Sequence, residues 1–160
     1  MRAAVCVSVF LTVTSTPALS QETGSADKPT RTGEEMVDLV GGRFNKVFEK
    51  FGAPTSLFAS VSKDKKRKEV GLDYGQFYFM MSEKTVRSCS FCCGWPHETI
   101  QGIKLGDPLD EVVKKLGQPV KTITTPKGKK YLFWDFGGED EEIQTAFDKD
   151  KLTSLWVKLK

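Results

Sequence analysis

The residues of this chain best suited to chemistry lie in one short run. Cys89, Cys92, Cys93 and His97 spell C-x2-C-C-x3-H. Thiolates and imidazole are the ligands zinc or copper prefers, and four of them can close a tetrahedral site. The spacing argues against that use, because structural zinc sites usually draw on two separated ligand pairs. A strand over 85–92 would also send Cys89 and Cys92 to opposite faces. In an oxidising compartment a Cys89–Cys92 disulfide at the strand end, or one tight pair with a free thiol, is more economical. Redox chemistry through C-x-x-C normally sits at a helix start within a βαβ pattern, whereas here the motif ends a run of strands.

Little else in the sequence points to catalysis. His97 is the single histidine and follows Pro96 in a linker. As a general base it would need a placed nucleophile or carboxylate, and no such signature is present. There is no serine nucleophile elbow, no H-E-x-x-H and no phosphate-binding glycine loop. Asp135-Phe136-Gly137 shares letters with a kinase motif but has no other kinase element beside it. The acidic turn from Glu139 to Glu142 lacks the alternating oxygen spacing of a calcium loop and reads as solvated. The basic run 63–68 reads as a charged hairpin tip that protects a strand edge, with steering of an acidic partner or contact with an anionic membrane surface as the alternative. No enzyme and no cofactor are expected, with zinc or copper on the cysteine run as the alternative. The aromatic residues are the better functional candidates. Tyr74, Tyr78, Tyr131, Phe133, Trp134 and Trp156 are expected on a surface, since Trp and Tyr are the usual anchors of protein interfaces.

The elements that must carry these side chains follow from punctuation and periodicity. Residues 1–20 have the form of a secretory signal: Arg2, an apolar run from Ala3 to Val13, and Ala18-Leu19-Ser20 before Gln21. The apolar run is too short to span a bilayer. Cleavage would take the formal charge from +3 to +2, too balanced for a nucleic-acid binder. It would also remove Cys6 and leave an odd count of three thiols. Residues 21–33 hold no large apolar side chain and read as a flexible leader. A helical turn or two is expected over 34–40 and a second helix over 43–51. Strands are predicted over 56–61, 70–81 and 85–92. A helix over 107–116, with Asp107 as N-cap and Pro108 behind it, opens a second run of strands: 120–124, 131–136, 143–147 and 152–159. In Tyr131 to Phe136, alternation sends Leu132, Trp134 and Phe136 one way and Tyr131, Phe133 and Asp135 the other. Both faces are bulky, so either the units pack sheet to sheet or an aromatic surface awaits a partner.

The chain also repeats itself. Phe44 to Pro54 aligns without a gap on Leu109 to Pro119, matching Val47 with Val112, Gly52 with Gly117 and Pro54 with Pro119. Each segment reads as a short amphipathic helix, a glycine stop and a proline. The reading is thus an α+β fold, a tandem repeat of short helices packed on antiparallel meanders, with units over 34–95 and 96–160. Gly102-Ile103-Lys104-Leu105-Gly106-Asp107-Pro108 through Val112, ending in Leu116-Gly117-Gln118-Pro119, resembles the SmpA/OmlA-type domain of small bacterial outer-membrane lipoproteins. The tandem version of that domain is the β-lactamase inhibitor protein fold. The resemblance covers the second unit well and the first more loosely, and the lipid-attachment cysteine of the lipoproteins is missing. It implies a helix-on-sheet unit that binds another protein through an aromatic sheet surface, without cofactor or catalysis. The expected function is therefore a secreted or periplasmic protein-binding module, an enzyme inhibitor or an envelope-assembly factor. The competing class is a metal-binding or redox protein using Cys89, Cys92, Cys93 and His97.

Overall fold

The computed structural model describes residues 32–61, 68–138 and 140–160. The signal segment, the leader up to residue 31, the basic tip over 62–67 and Glu139 lie outside the described residues. Those described form three short helices, α1 (Gly33–Val37), α2 (Asn45–Phe51) and α3 (Leu109–Leu116). They also form eight strands: β1 (Ser56–Val61), β2 (Lys68–Asp73), β3 (Phe77–Ser82), β4 (Thr85–Phe91), β5 (Lys121–Thr124), β6 (Lys130–Phe136), β7 (Glu141–Asp148) and β8 (Lys151–Leu159). The molecule is therefore mostly β, more so than an even mixture of helix and strand would be.

Three expectations change. The single strand read over 70–81 is two, β2 and β3. The Asp73 carboxylate accepts the Gly75 N–H at 2.7 Å, and Gly75 turns the chain at φ +89°. The Tyr74 N–H then donates to Phe77 O and closes the hairpin. Asp107 is not the side-chain cap of α3: Pro108 holds the N-cap position with no side-chain cap bond. The Asp107 carboxylate instead accepts from the Lys104 N–H and the Lys115 ammonium, at 3.0 and 3.1 Å. Finally, Thr32 and Gly33 belong to α1 rather than to the leader. The Thr32 hydroxyl caps the helix by accepting from the Glu35 N–H, and a side chain at Gly33 would overlap the Thr99 backbone. The two glycine stops stand as expected. Gly52 and Gly117 cap α2 and α3 at φ +73° and +82°, each donating its N–H to the carbonyl four residues back at 2.8 Å.

All eight strands join one antiparallel sheet in the order β1-β2-β3-β4-β8-β7-β6-β5. Two four-stranded meanders meet at β4 and β8, so their outermost strands, β1 and β5, are the edges. At the seam Ser88, Cys89, Ser90 and Phe91 face Lys158, Val157, Trp156 and Leu155. Pairing in register puts whole rows of side chains on the same face. One row runs Leu72, Phe79, Cys89, Val157, Ile143, Trp134 and the next Phe77, Phe91, Leu155, Thr145, Leu132, all buried. The helices meet the sheet on this side. Phe51 of α2 packs on Phe77 and Phe79 with ring centroids 5.4 and 5.7 Å away. The carbonyl of Gly117, at the end of α3, accepts from the Trp134 indole at 3.0 Å. Gly41, beyond α1, lies beside Leu159. One continuous core results, running from Met36 through the seam to Trp134.

Candidate functional site

Between the two core rows lies a row on the opposite face: Tyr78, Ser90, Trp156, Gln144, Phe133 and Lys121, one from each strand from β3 to β5 across the sheet. Flanking it on that face are Phe58, Gly71, Met80, Ser88, Lys158 and Glu142 on one side, and Ser154, Ala146, Tyr131 and Ile123 on the other. Alternation builds this face as directly as it builds the core.

Its aromatics are held by specific contacts. The Trp156 indole N–H donates to the Tyr78 hydroxyl at 2.9 Å. Those two residues are separated in the row by Ser90, so the pair arches over it, and Ser90 is fully buried with its hydroxyl unpartnered among the described residues. Only a small side chain fits beneath such a bridge. Phe58 stands edge-on to Tyr78 at 5.8 Å and lies flat over Gly71, where a Cβ would overlap the ring. Phe133 lies under two ammonium groups, Lys121 and Lys158, at 5.7 and 5.9 Å from its centroid. Lys158 also pairs with Glu142 at 2.9 Å and donates to Gln144 at 3.1 Å. The face therefore presents half-buried aromatic rings fixed among charges of both signs.

The six aromatics expected on a surface divide between the two faces. Tyr78, Tyr131, Phe133 and Trp156 share the open one. Trp134 does not: it sits in the core row with 3% exposure, and its indole is spent on Gly117. Alternation had already parted it from Tyr131 and Phe133, so the three could not share one face. Tyr74 also leaves the set, because it stacks on Phe77 at 5.0 Å and donates to Gly52 O, on the α2 side. Phe58 was missed. A glycine in mid-strand was the available signal, since Gly71 leaves room for a cross-strand ring.

The cysteine run does not assemble into one centre. Cys89 is fully buried in the core, where burial pushes its thiol well above the usual range. Cys92 and Cys93 lie beyond the end of β4, and among the described residues none of the three thiols is in a disulfide. The expected Cys89–Cys92 disulfide is not formed; the sulfur beside Cys92 is that of Cys93, 3.1 Å away. His97 is exposed and packs edge-on to Trp95 at 5.1 Å. Among the described residues no three His, Cys, Asp or Glu side chains gather as a metal-ligand group. His97 does line a cleft of about 330 Å³ with Thr32, Glu34, Glu98, Thr99 and Lys104. There Glu98 pairs with Lys104 at 3.4 Å, and the buried Thr99 hydroxyl donates to Ile103 O. No helix among the described residues is long and apolar enough to cross a membrane.

No protein-family model matches the chain, and no curated protein matches it in sequence. Solved structures do. An extracellular protein containing an SCP domain from Bacillus anthracis is similar at 15% identity and a TM-score of 0.57, over 89% of this chain and 50% of that one. A cysteine-rich secretory protein from Staphylococcus aureus aligns at 17% identity and 0.49, over 77% and 45%. A protein from Streptococcus mutans, provisionally named a β-lactamase inhibitor protein, aligns at 14% identity and 0.32, over 74% and 83%. This chain spans about half the length of the first two. The Bacillus anthracis structure shares the fold. The inhibitor-type protein stands among the neighbours at an overlap too low to argue from. The expected SmpA/OmlA resemblance gains no support from these comparisons.

Proposed function

We propose that this chain is an exported, non-catalytic module that binds another protein on the open face of its sheet, around Tyr78, Trp156, Phe133 and Tyr131, with Phe58 at the margin. The observation that carries the reading is the row Tyr78–Ser90–Trp156–Gln144–Phe133. Bulky aromatics are fixed by side-chain contacts on the face that the helices leave uncovered, and ordered aromatics are what interface hot spots are made of. Mixed charges around Phe133 suit a protein partner better than a polyanion, which would favour a basic stripe. Secretion or a periplasmic location agrees with the signal-like residues 1–20 and with the extracellular description of the Bacillus anthracis protein. We take the two helix-and-meander halves as copies of one unit, joined as in the tandem inhibitor fold. On that reading an enzyme is the first partner class to test and an envelope-assembly complex the second.

The test is affinity capture from envelope extract and culture fluid on immobilised mature protein. Phe133→Ala and Trp156→Ala are run alongside, with Lys114→Ala on α3 as control. A protein held by the wild type and the α3 variant, and lost from both face variants that retain native circular dichroism, supports the face. Equal capture by all four proteins, or one bound zinc or copper with the thiols ligated, overturns the reading.

A further inference from the structure

After Phe91 the chain makes a tight reversal through Cys92, Cys93, Gly94 and Trp95. Cys93 and Gly94 both have positive φ, +55° and +78°, and the Trp95 N–H donates to Cys92 O at 3.1 Å. This is the backbone pattern of a type I′ turn. A cysteine pays for that conformation, since positive φ crowds its Cβ. The surroundings hold it there. The Cys92 N–H donates to Gln76 O at 3.0 Å, the Gln76 amide donates to Gly94 O at 3.4 Å, and Trp95 is buried against Phe77 and Phe91. The result is two adjacent sulfurs 3.1 Å apart at the surface, inside van der Waals contact for sulfur, with Cys93 exposed and Cys92 half-buried.

We propose that Cys92 and Cys93 are a vicinal dithiol that closes to a disulfide by exchange with an external disulfide, Cys93 as the entering thiol and Cys92 as the resolving one. The Cys93 thiolate attacks one sulfur of R–S–S–R and breaks that S–S bond, forming the mixed disulfide Cys93 Sγ–S–R and releasing R–S⁻. The Cys92 thiolate then attacks the Cys93 sulfur, forming the vicinal bond and releasing the second R–S⁻. The two thiol protons end on two R–SH, and the external disulfide takes up the two electrons. The order of roles follows from environment. Cys92 is pushed up to about 12 by burial first, then by the hydrogen bond and charge of Cys93 and by the charge of Asp73. It is therefore a poor first nucleophile. Capping Cys93 removes that neighbour's hydrogen bond and charge and makes Cys92 easier to ionise when its turn comes. Cys89, enclosed in the core, takes no part. This inference stands apart from the partner-face reading.

The test uses the reduced mature chain, without residues 1–20 and so without Cys6, exposed to oxidised glutathione in one arm and to an oxidised C-x-x-C oxidoreductase in the other. After each, the protein is denatured, alkylated, then reduced and alkylated with a heavy-isotope reagent. Closure in either arm puts the first label on Cys89 and the heavy label on both Cys92 and Cys93; the faster arm identifies the source of the disulfide. Cys92→Ser is expected to accumulate a glutathione adduct on Cys93. Cys93→Ser is expected to form its adduct on Cys92 about tenfold more slowly, because burial still limits both the ionisation of Cys92 and access to it. First label on all three cysteines in both arms, a Cys89–Cys92 link, or equal adduct rates in the two variants overturns the proposal.

Discussion

Thr145 is a hydroxyl placed where the sheet has no use for one. It lies fully buried in the core row between Leu155 and Leu132, and its Oγ1 has no hydrogen-bond partner among the described residues. A buried, unpaired hydroxyl costs desolvation energy that nothing returns. Thr145→Val keeps the shape and removes the cost. It is expected to stabilise the protein by about 1 kcal/mol, read as a higher urea midpoint at unchanged slope. Cys89 predicts a pH effect. The native protein keeps its buried thiol protonated, while the unfolded chain releases that proton above about pH 8.5. Stability is thus fully present below that pH and falls as pH rises above it, because the unfolded state then binds fewer protons than the native one. Cys92, held up to about 12, acts in the same direction. Urea unfolding at neutral and alkaline pH should show the fall, and Cys89→Ala should flatten it.

At the scale of elements, the β1–β2 pair depends on one glycine and one ring. Phe58 opposes Gly71 in register and covers it, so the missing Cβ is what lets the ring lie against the strand. Gly71→Ala must push Phe58 off the face; a loss of about 1 kcal/mol is expected, partly offset by a better strand residue. In a Phe58→Ala background the same substitution should cost almost nothing. A double-mutant cycle measures that coupling, and additive losses would show that the ring does not decide the glycine. β1 is also an edge strand whose Leu57 and Val61 stay exposed, so displacing Phe58 would show first as increased exchange of β1 amides.

At the scale of the whole molecule, the seam between β4 and β8 decides whether the chain is one folding unit. Leu155 is fully buried there, paired to Phe91 on one side and Thr145 on the other. Since the core runs unbroken across that seam, both halves should unfold together. Leu155→Ala should cost about 2–5 kcal/mol and keep a single transition, with tryptophan fluorescence and far-UV circular dichroism moving in step. Separate transitions for the two signals would mean that each meander folds alone.

Much of this architecture was legible in local sequence, because local backbone rules produce it. Gly52 and Gly117 stop helices since positive φ suits glycine, and Leu132, Trp134 and Phe136 part from Tyr131 and Phe133 since strands alternate. The break after Asp73 was missed because it rests on one carboxylate reaching a backbone N–H two residues on, inside an otherwise strand-like run. What residue order could not supply was distance between segments far apart in sequence. Pairing of β4 with β8 sets Trp156 beside Ser90 and within hydrogen-bond reach of Tyr78, and thereby makes the open aromatic face. A turn with two positive φ angles sets Cys92 against Cys93 rather than Cys89. Sequence by itself determined which residues share a face of each strand. The tertiary structure decided which strands are neighbours, because that choice rests on packing and register summed across the whole sheet.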